Sequence, residues 1–152
     1  MRFLELKVPP PIVAVAVGIV MWRIALVTPS AAPARARLWI AAAIAAIGVA
    51  IAVSGAVAFR RAKTTTNPTK PGTASSLVSS GPFRFTRNPM YVGLTLILLG
   101  WASYLWSTWA LVGPLVFAVY IRWFQIAPEE RALSALFGAE YSEYQAKVRR
   151  WL

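Results

Sequence analysis

Two adjacent carboxylates, Glu129 and Glu130, are the residues of this chain best suited to do chemistry. They directly follow an apolar stretch, in a chain with 16 Lys and Arg but only five acidic residues. Paired carboxylates in so basic a protein can hold a cationic ligand. They can equally complement a helix dipole, because Pro128 suits the first position of a helix. The residues themselves leave both interpretations open.

A second candidate site is the run from Gly81 to Gly93, which leads into another apolar stretch. Asn88 has the features of a helix N-cap and Pro89 those of a first helical residue. Such a helix start presents free backbone N–H groups and the positive end of a dipole. Arg84 and Arg87 stand beside it, so we expect this end to attract a carboxylate or a phosphate.

The composition excludes several kinds of catalysis. The chain has no His and no Cys, so Ser-His-Asp and Cys-His nucleophilic catalysis are ruled out. An ordinary zinc site is not expected either, since its ligands are missing. A general base must be Glu, Tyr, Lys or a bound water. These patterns alone assign no catalytic residue.

The elements that position these residues are predicted to be membrane-spanning helices. Hydrophobic residues make up 58% of the 152 residues and charged residues 14%, against about 45–50% and about 25% in soluble domains. A span needs about 20 mostly apolar residues. The predicted fold is all-α and integral to the membrane, with about four spans: Pro10–Val27, Leu38–Phe59, Met90–Trp106 and Ser107–Ile126.

The last two spans are separated by a short uncharged turn near Ser103 to Ser107, which predicts a tight helical hairpin. Asn88 and Glu129 then lie at the same face of the membrane. A pocket there would combine an anion-attracting wall with a cation-attracting wall. Its aromatic surface could come from residues that also suit interfacial anchors: Phe83, Phe85, Tyr91, Trp123 and Phe124. S-adenosylmethionine, with its carboxylate, ammonium, adenine and sulfonium, fits such a pocket.

We treat residues 1–152 as one membrane domain. Its parts are a helix pair (1–59), a loop (60–89), the hairpin (90–126) and a tail (127–152). The tail is predicted to be an amphipathic helix that lies on the membrane surface or docks against the bundle, with Gly138 as a candidate interruption. The residues of its apolar stripe recur three and four apart: Leu133, Leu136, Phe137, Tyr144 and Val148.

The basic residues predict the orientation. A cytoplasmic N-terminus places most of them on cytoplasmic segments, so both termini, the loop and the tail are expected there, in a bacterial-type inner membrane. Lipid headgroups then account for the positive charge, and nucleic acid is not an expected partner. Arg2 and Lys7 before the first span, with Ala34-Arg35-Ala36 after it, also imitate a signal peptide. A retained helix is favoured because a second span follows.

The run Ser79–Gly93 resembles the signature of the isoprenylcysteine carboxyl methyltransferase family, which is related to the phospholipid methyltransferases. Glu129-Glu130 and the later Phe-Gly-x-Glu-Tyr-x-x-Tyr pattern resemble that family's acidic pair and tail, and the resemblance covers about Leu77 to Leu152. It implies a membrane methyltransferase that uses S-adenosylmethionine and a lipophilic acceptor from the bilayer. The implied cofactor-binding residues are Phe83, Arg87, Asn88, Pro89, Met90, Tyr91, Glu129 and Glu130.

Two positions depart from the family pattern. Asn88 replaces the motif His, and an amide forms hydrogen bonds but does not titrate near neutrality. Gln125 stands where the eukaryotic enzymes carry an Arg for the substrate carboxylate. This argues against a prenylcysteine carboxylate as acceptor, although Arg122, one turn earlier, is a candidate substitute for substrate binding. The acceptor group stays open between carboxylate, amine and thiol.

Two other classes of function are compatible with parts of the sequence. A non-catalytic four-helix membrane subunit or lipid-binding scaffold would need neither the acidic pair nor the Gly-x-Phe start. Sterol reductases share a similar Arg-His-x-x-Tyr-Gly stretch, but their chains are much longer. Binding of S-adenosylmethionine discriminates between the methyltransferase and the scaffold.

Overall fold

The computed structural model describes residues 5–28, 34–62 and 76–152. Arg2 and residues 63–75 of the predicted loop lie outside these ranges. Within them every regular element is helical, in agreement with the predicted all-α class. The α-helices are α1 (Pro10–Leu26), α2 (Ala34–Arg61), α3 (Pro89–Leu105), α4 (Val112–Ile121), α5 (Ala127–Phe137) and α6 (Ala139–Lys147). Short 3₁₀ turns occupy Gly81–Arg84 and Thr108–Leu111, and a π-helical turn, the π segment, occupies Arg122–Ile126.

Three helical stretches are long and apolar enough to cross a membrane: Pro10–Val27, Arg35–Arg61 and Thr108–Phe137. The helix α3 is also apolar but has only 17 residues. Three of the predicted spans are thus confirmed as helices of sufficient length, and a fourth crossing stays a prediction. The last span does not end at Ile126 as expected, because the helix continues through the π segment into α5.

Small residues allow α2 and α3 to pack backbone against backbone. A Cβ atom on Gly93 would lie 2.5 Å from the carbonyl oxygen of Gly48, and one on Gly48 would lie 2.6 Å from that of Gly93. Gly100 contacts Ala41 in the same way further along. Such close approach is a common basis of helix association in membranes. Near its end α2 places Gly55 against Pro89, which holds the start of α3 in position.

The turn between α3 and α4 is short, as the sequence predicted. Leu105 ends α3, and Trp106 reverses the chain with φ +51°. Ser107 then forms a 2.7 Å hydrogen bond with Thr28, which follows α1. The two helices therefore pack as a hairpin, with α1 beside them.

The tail is two helices rather than one. Gly138 separates α5 from α6 with φ +51°, a conformation that glycine adopts without a steric penalty. Leu133, Phe137, Tyr144 and Val148 pack against Val78, Phe83 and the end of α2, so the tail docks against the bundle. Leu136 does not belong to this stripe, since 45% of it is exposed.

Candidate functional site

Tyr91 and Glu129 bring the two sequence motifs together. Tyr91 lies buried in the first turn of α3, and its hydroxyl donates a 2.5 Å hydrogen bond to Oε1 of Glu129. The buried side chain of Gln125 lies against the same hydroxyl. The start of α3 and the acidic pair therefore lie side by side at one end of the bundle, as the hairpin predicted.

Glu130 is held by two guanidinium groups. Arg87 donates from Nη2 to Oε1 at 2.9 Å. Arg150 donates from Nε to Oε1 at 3.0 Å and from Nη2 to Oε2 at 2.6 Å, a two-pronged geometry that strengthens such pairs. The hydrogen bonds to Glu130 raise the pKa of Arg150. Only 12% of the Glu130 side chain is exposed. Because it binds both Arg87 and Arg150, this carboxylate cross-links the tail to the start of α3.

The two adjacent carboxylates thus have different surroundings. The charge of Glu130 is neutralised by Arg87 and Arg150. Across the described ranges, no ion pair includes Glu129, whose hydrogen-bond donor is the neutral hydroxyl of Tyr91. A cationic ligand would therefore find its counter-charge at Glu129.

Asn88 occupies the N-cap position of α3, as predicted, but its side chain makes no capping hydrogen bond. Its Nδ2 instead donates a 2.8 Å hydrogen bond to the carbonyl oxygen of Arg150. Its backbone N–H donates to the Thr86 hydroxyl oxygen, and its backbone carbonyl oxygen accepts a hydrogen bond from the Tyr91 N–H. The side-chain amide of Asn88 is thus hydrogen-bonded to the C-terminal segment, residues 149–152. Pro89 is the first residue of α3, as predicted.

The C-terminal segment runs alongside the motif. The Arg87 N–H donates to the carbonyl oxygen of Arg149 at 2.9 Å, and the Thr86 hydroxyl donates to that of Arg150 at 3.3 Å. No motif of the sequence pointed to Arg149 or Arg150 as residues of the site. No spacing pattern relates Arg150 to Glu130, because they lie in different elements. The only sequence feature that indicated such a partner for Glu130 is the scarcity of acidic residues in so basic a chain.

Three other predicted residues frame the site. The Phe83 ring meets Phe59 edge to face at 5.1 Å, and its carbonyl oxygen accepts a 2.7 Å hydrogen bond from Tyr144. Pro89 and Met90 pack against Gly55 of α2. These contacts fix the loop and the start of α3 relative to α2.

Two predicted pocket aromatics and the candidate substrate residue lie on the surface. Phe85 is 74% exposed and Trp123 is 61% exposed. The exposed guanidinium of Arg122 lies 5.7 Å from the Trp123 ring centre, outside the hydrogen-bonded cluster. Gln125, three residues later, is the residue of this turn that points to Tyr91.

The acidic pair does not lie at a free helix start, so the helix-dipole interpretation is wrong. Ile126 has helical dihedral angles, and α4, the π segment and α5 form one continuous helix. Pro128 is buried inside that helix. π turns are rare and often occur at functional sites, and no sequence pattern predicted this one.

Comparison with known proteins gives the family. The model of the phospholipid methyltransferase family matches residues 36–140 of this chain. The chain belongs to that family. It is also similar to an uncharacterized protein of Haemophilus influenzae, with 49% identity over 63 residues that make up 41% of this chain and all of that protein. No solved structure matches the chain significantly.

The phospholipid methyltransferase match confirms the resemblance seen in the sequence. It includes the start of α3 and the acidic pair, and it ends before Tyr141 and Arg150. The cross-link from Glu130 to Arg150 thus ties the matched part of the chain to residues beyond it. Burial, with a smaller effect of the Glu130 charge, raises the pKa of Tyr141 to about 12. Burial also raises the pKa of Tyr144, so both phenols stay neutral.

Proposed function

We propose that this protein transfers the methyl group of S-adenosylmethionine to a lipophilic acceptor at the cytoplasmic face of the membrane. Membership of a methyltransferase family supports the reaction class. One structural observation carries the rest of the proposal: the Glu129 carboxylate, bound by Tyr91 and outside every ion pair of the described ranges. A sulfonium or ammonium group would find its counter-charge there.

The polar groups of the cluster suit both charges of the cofactor. Glu129 offers an anion to its cationic groups. Among the described residues, the buried Nε of Arg87 meets no hydrogen-bond acceptor, so it offers a donor to a carboxylate. We assign cofactor binding to the residues that lie in or frame this cluster: Phe83, Arg87, Asn88, Pro89, Met90, Tyr91, Glu129 and Glu130.

The main task of the protein in this reaction is to align the acceptor with the methyl group of the cofactor. The bound cofactor supplies a methyl group already activated on a sulfonium. The site must then hold the acceptor in line with that group and exclude water. A carboxylate or thiolate acceptor needs no base. An amine acceptor has to lose a proton, and Glu129 is the carboxylate placed to take it.

An apolar groove supports a lipophilic acceptor. It lies between α1 and α2, has a volume of about 870 Å³, and is lined on the α3 side by Leu94, Leu98 and Trp101. Leu94 is one turn from Tyr91, so the groove begins near the cluster. A hydrocarbon chain from the bilayer suits these surfaces.

The arrangement of the helix ends supports the proposed orientation. Phe59, at the end of α2, meets Phe83, and Leu6, before α1, meets Phe124 near the acidic pair. The elements that carry the cluster thus share one end of the bundle. The positive-inside rule assigns that end to the cytoplasm, and we propose the inner membrane of a bacterium.

Binding of S-adenosylmethionine to the purified protein in detergent tests the proposal. Isothermal titration calorimetry should show binding to the wild type and at least tenfold weaker binding to the Glu129→Gln/Glu130→Gln variant. Glu143→Gln, which alters an exposed carboxylate of α6, should bind like the wild type. Tight and unchanged binding to the double variant would refute the assignment of the acidic pair. No binding to the wild type would favour the non-catalytic membrane subunit.

Transfer of label identifies the acceptor. The wild type is incubated with S-adenosylmethionine labelled in its methyl group and with extracted membrane lipids, a prenylated thiol or a small thiol. We expect label in a lipophilic product. Label in none of them would contradict the enzymatic function.

A further inference from the structure

The segment before α1, residues 5–9, makes two contacts with the helix that carries the acidic pair. The Leu6 N–H donates a 3.0 Å hydrogen bond to the carbonyl oxygen of Phe124. Glu5 forms an ion pair with Arg131. Phe124 precedes the acidic pair and Arg131 follows it directly. The two contacts therefore lie on either side of the pair.

The Leu6 contact supplies a donor to a carbonyl whose usual helical partner is a proline. Proline has no N–H, so Pro128 cannot donate to the carbonyl oxygen of Phe124, four residues earlier. A carbonyl left without a partner away from water costs about 1–3 kcal/mol. The backbone around Phe124 is already irregular, since Ala127 donates to Arg122 across a π turn. The Leu6 N–H therefore supplies, from outside the helix, the donor that Pro128 cannot.

Leu6 is held in an unfavourable conformation to make this contact. Its φ is +58°, a left-handed value that costs a non-glycine residue about 1–2 kcal/mol. Such a conformation persists only where its surroundings enforce it. Pro9, Pro10 and Pro11 follow, and their rings restrict the backbone as it enters α1. The donor thus sits on a stiff segment that is anchored by α1.

We propose that residues 5–9 position Glu129. The Leu6 N–H and the Glu5 carboxylate fix the turn that bears this residue, so the N-terminal segment belongs to the site although it lies outside the family match. The inference rests on the proposed function, in which Glu129 binds the cofactor. Leu6 and Glu5 act through Glu129 and are positioning residues. The packing of α2 on α3 does not involve them.

A pair of Leu6 variants tests the hydrogen bond. Leu6→Pro removes the N–H and, because its ring fixes φ at about −65°, also the left-handed conformation that presents it. Leu6→Gly keeps the N–H and suits the positive φ. Two measurements are made in detergent: amide hydrogen exchange over residues 127–137 and the Kd for S-adenosylmethionine. In Leu6→Pro we expect exchange to accelerate at least tenfold and Kd to rise at least tenfold. In Leu6→Gly both should match the wild type. Unchanged exchange in Leu6→Pro would overturn the proposal.

A rescue variant separates positioning from a general loss of stability. Pro128→Ala returns an N–H to the helix, so it should restore slow exchange in the Leu6→Pro background. Failure to restore it would contradict the proposed role of the N–H. If Leu6→Pro does not fold, the ion pair decides. Glu5→Arg and Arg131→Glu should each accelerate exchange, and their combination should restore it, whereas a combination as fast as the single variants would overturn the proposal.

The two measurements keep the two proposals distinguishable. Hydrogen exchange requires no cofactor, so it tests the positioning of the turn even in a protein that binds none. A wild type without affinity for S-adenosylmethionine would refute the proposed function alone. A wild type that binds it, with unchanged exchange and Kd in Leu6→Pro, would refute the positioning role alone.

Discussion

The hydroxyl of Tyr91 donates a 2.5 Å hydrogen bond to the carboxylate of Glu129 and so joins the start of α3 to α5. The neighbouring Glu130 turns instead to Arg87 and Arg150. One carboxylate thereby remains outside the ion pairs of the described residues while the next is fully engaged in them. Within the proposed cofactor site, Glu129 is thus the carboxylate with charge to offer a cationic group, whereas Glu130 is already held by two guanidinium groups. The two residues therefore lead to distinct expectations.

Tyr91→Phe should weaken the site and the fold together. It removes the donor to Glu129 and leaves that carboxylate without its hydrogen bond, at a cost of about 1–3 kcal/mol. Unfolding by denaturant in detergent measures this loss, and calorimetry should show weaker binding of S-adenosylmethionine. Tyr104→Phe is the control, because Tyr104 is 43% exposed and stacks on Trp101. Equal behaviour of the two variants would contradict the role of the Tyr91 hydroxyl.

Glu130→Gln should act mainly on stability. It leaves the charges of Arg87, whose side chain is 11% exposed, and of Arg150 without their partner. Breaking a buried pair costs about 3–5 kcal/mol, and the partial exposure of Arg150 reduces the expected loss to roughly 2 kcal/mol. Denaturant unfolding measures it, with Glu143→Gln expected to change stability by less than about 0.5 kcal/mol. A Glu130→Gln protein as stable as the wild type would disprove the cross-link.

Gly93→Ala should push α3 away from α2. Its Cβ would meet the Gly48 carbonyl oxygen at 2.5 Å, and a backbone atom has little room to move. Overpacking of this kind costs about 1–3 kcal/mol. Gly18→Ala is the matched control in α1, since its Cβ would first meet Leu98 at 3.8 Å, an ordinary contact. Thermal unfolding in detergent should show a lower Tm for Gly93→Ala alone.

Tyr141 should make the docking of the tail sensitive to alkaline pH. Burial raises its pKa to about 12 from an ordinary value of 10.0, because the folded state favours the neutral phenol. The contribution of the buried, neutral Tyr141 side chain to the free energy of unfolding is therefore complete below pH 10 and is lost as pH rises toward 12. Tyrosinate absorbance measured against pH should contain a component that titrates near pH 12 and disappears in Tyr141→Phe. A protein whose tyrosines all titrate near pH 10 would contradict this assignment.

Asn88→Ala should loosen the C-terminal segment. It removes the donor to the Arg150 carbonyl oxygen, a hydrogen bond worth about 0.5–1.5 kcal/mol. Cleavage of residues 149–152 by carboxypeptidase should become faster. Asn88→His, which introduces the family's residue, keeps an N–H donor and should protect the segment better than Asn88→Ala. Equal cleavage of the wild type and Asn88→Ala would show that the amide does not hold the tail.

Much of the fold could be predicted because it depends on local chemistry. The apolar stretches predicted the helices, Pro89 predicted the start of α3, and the uncharged turn predicted the hairpin with α4. The apolar stripe of the tail predicted the face on which it docks, except at Leu136. These features follow from burial and backbone preference within a few neighbouring residues.

The partners in the site could not be predicted, because they come from segments that are distant in the chain. Leu6 reaches Phe124, and Arg150 reaches both Glu130 and Asn88. The sequence by itself determined the helical class, the family and the two motifs. Only the tertiary structure decided which carboxylate is neutralised, since the positions of Arg87 and Arg150 depend on how the helices pack. Two carboxylates that are adjacent in sequence look alike there, but the partner of each depends on how the whole chain packs.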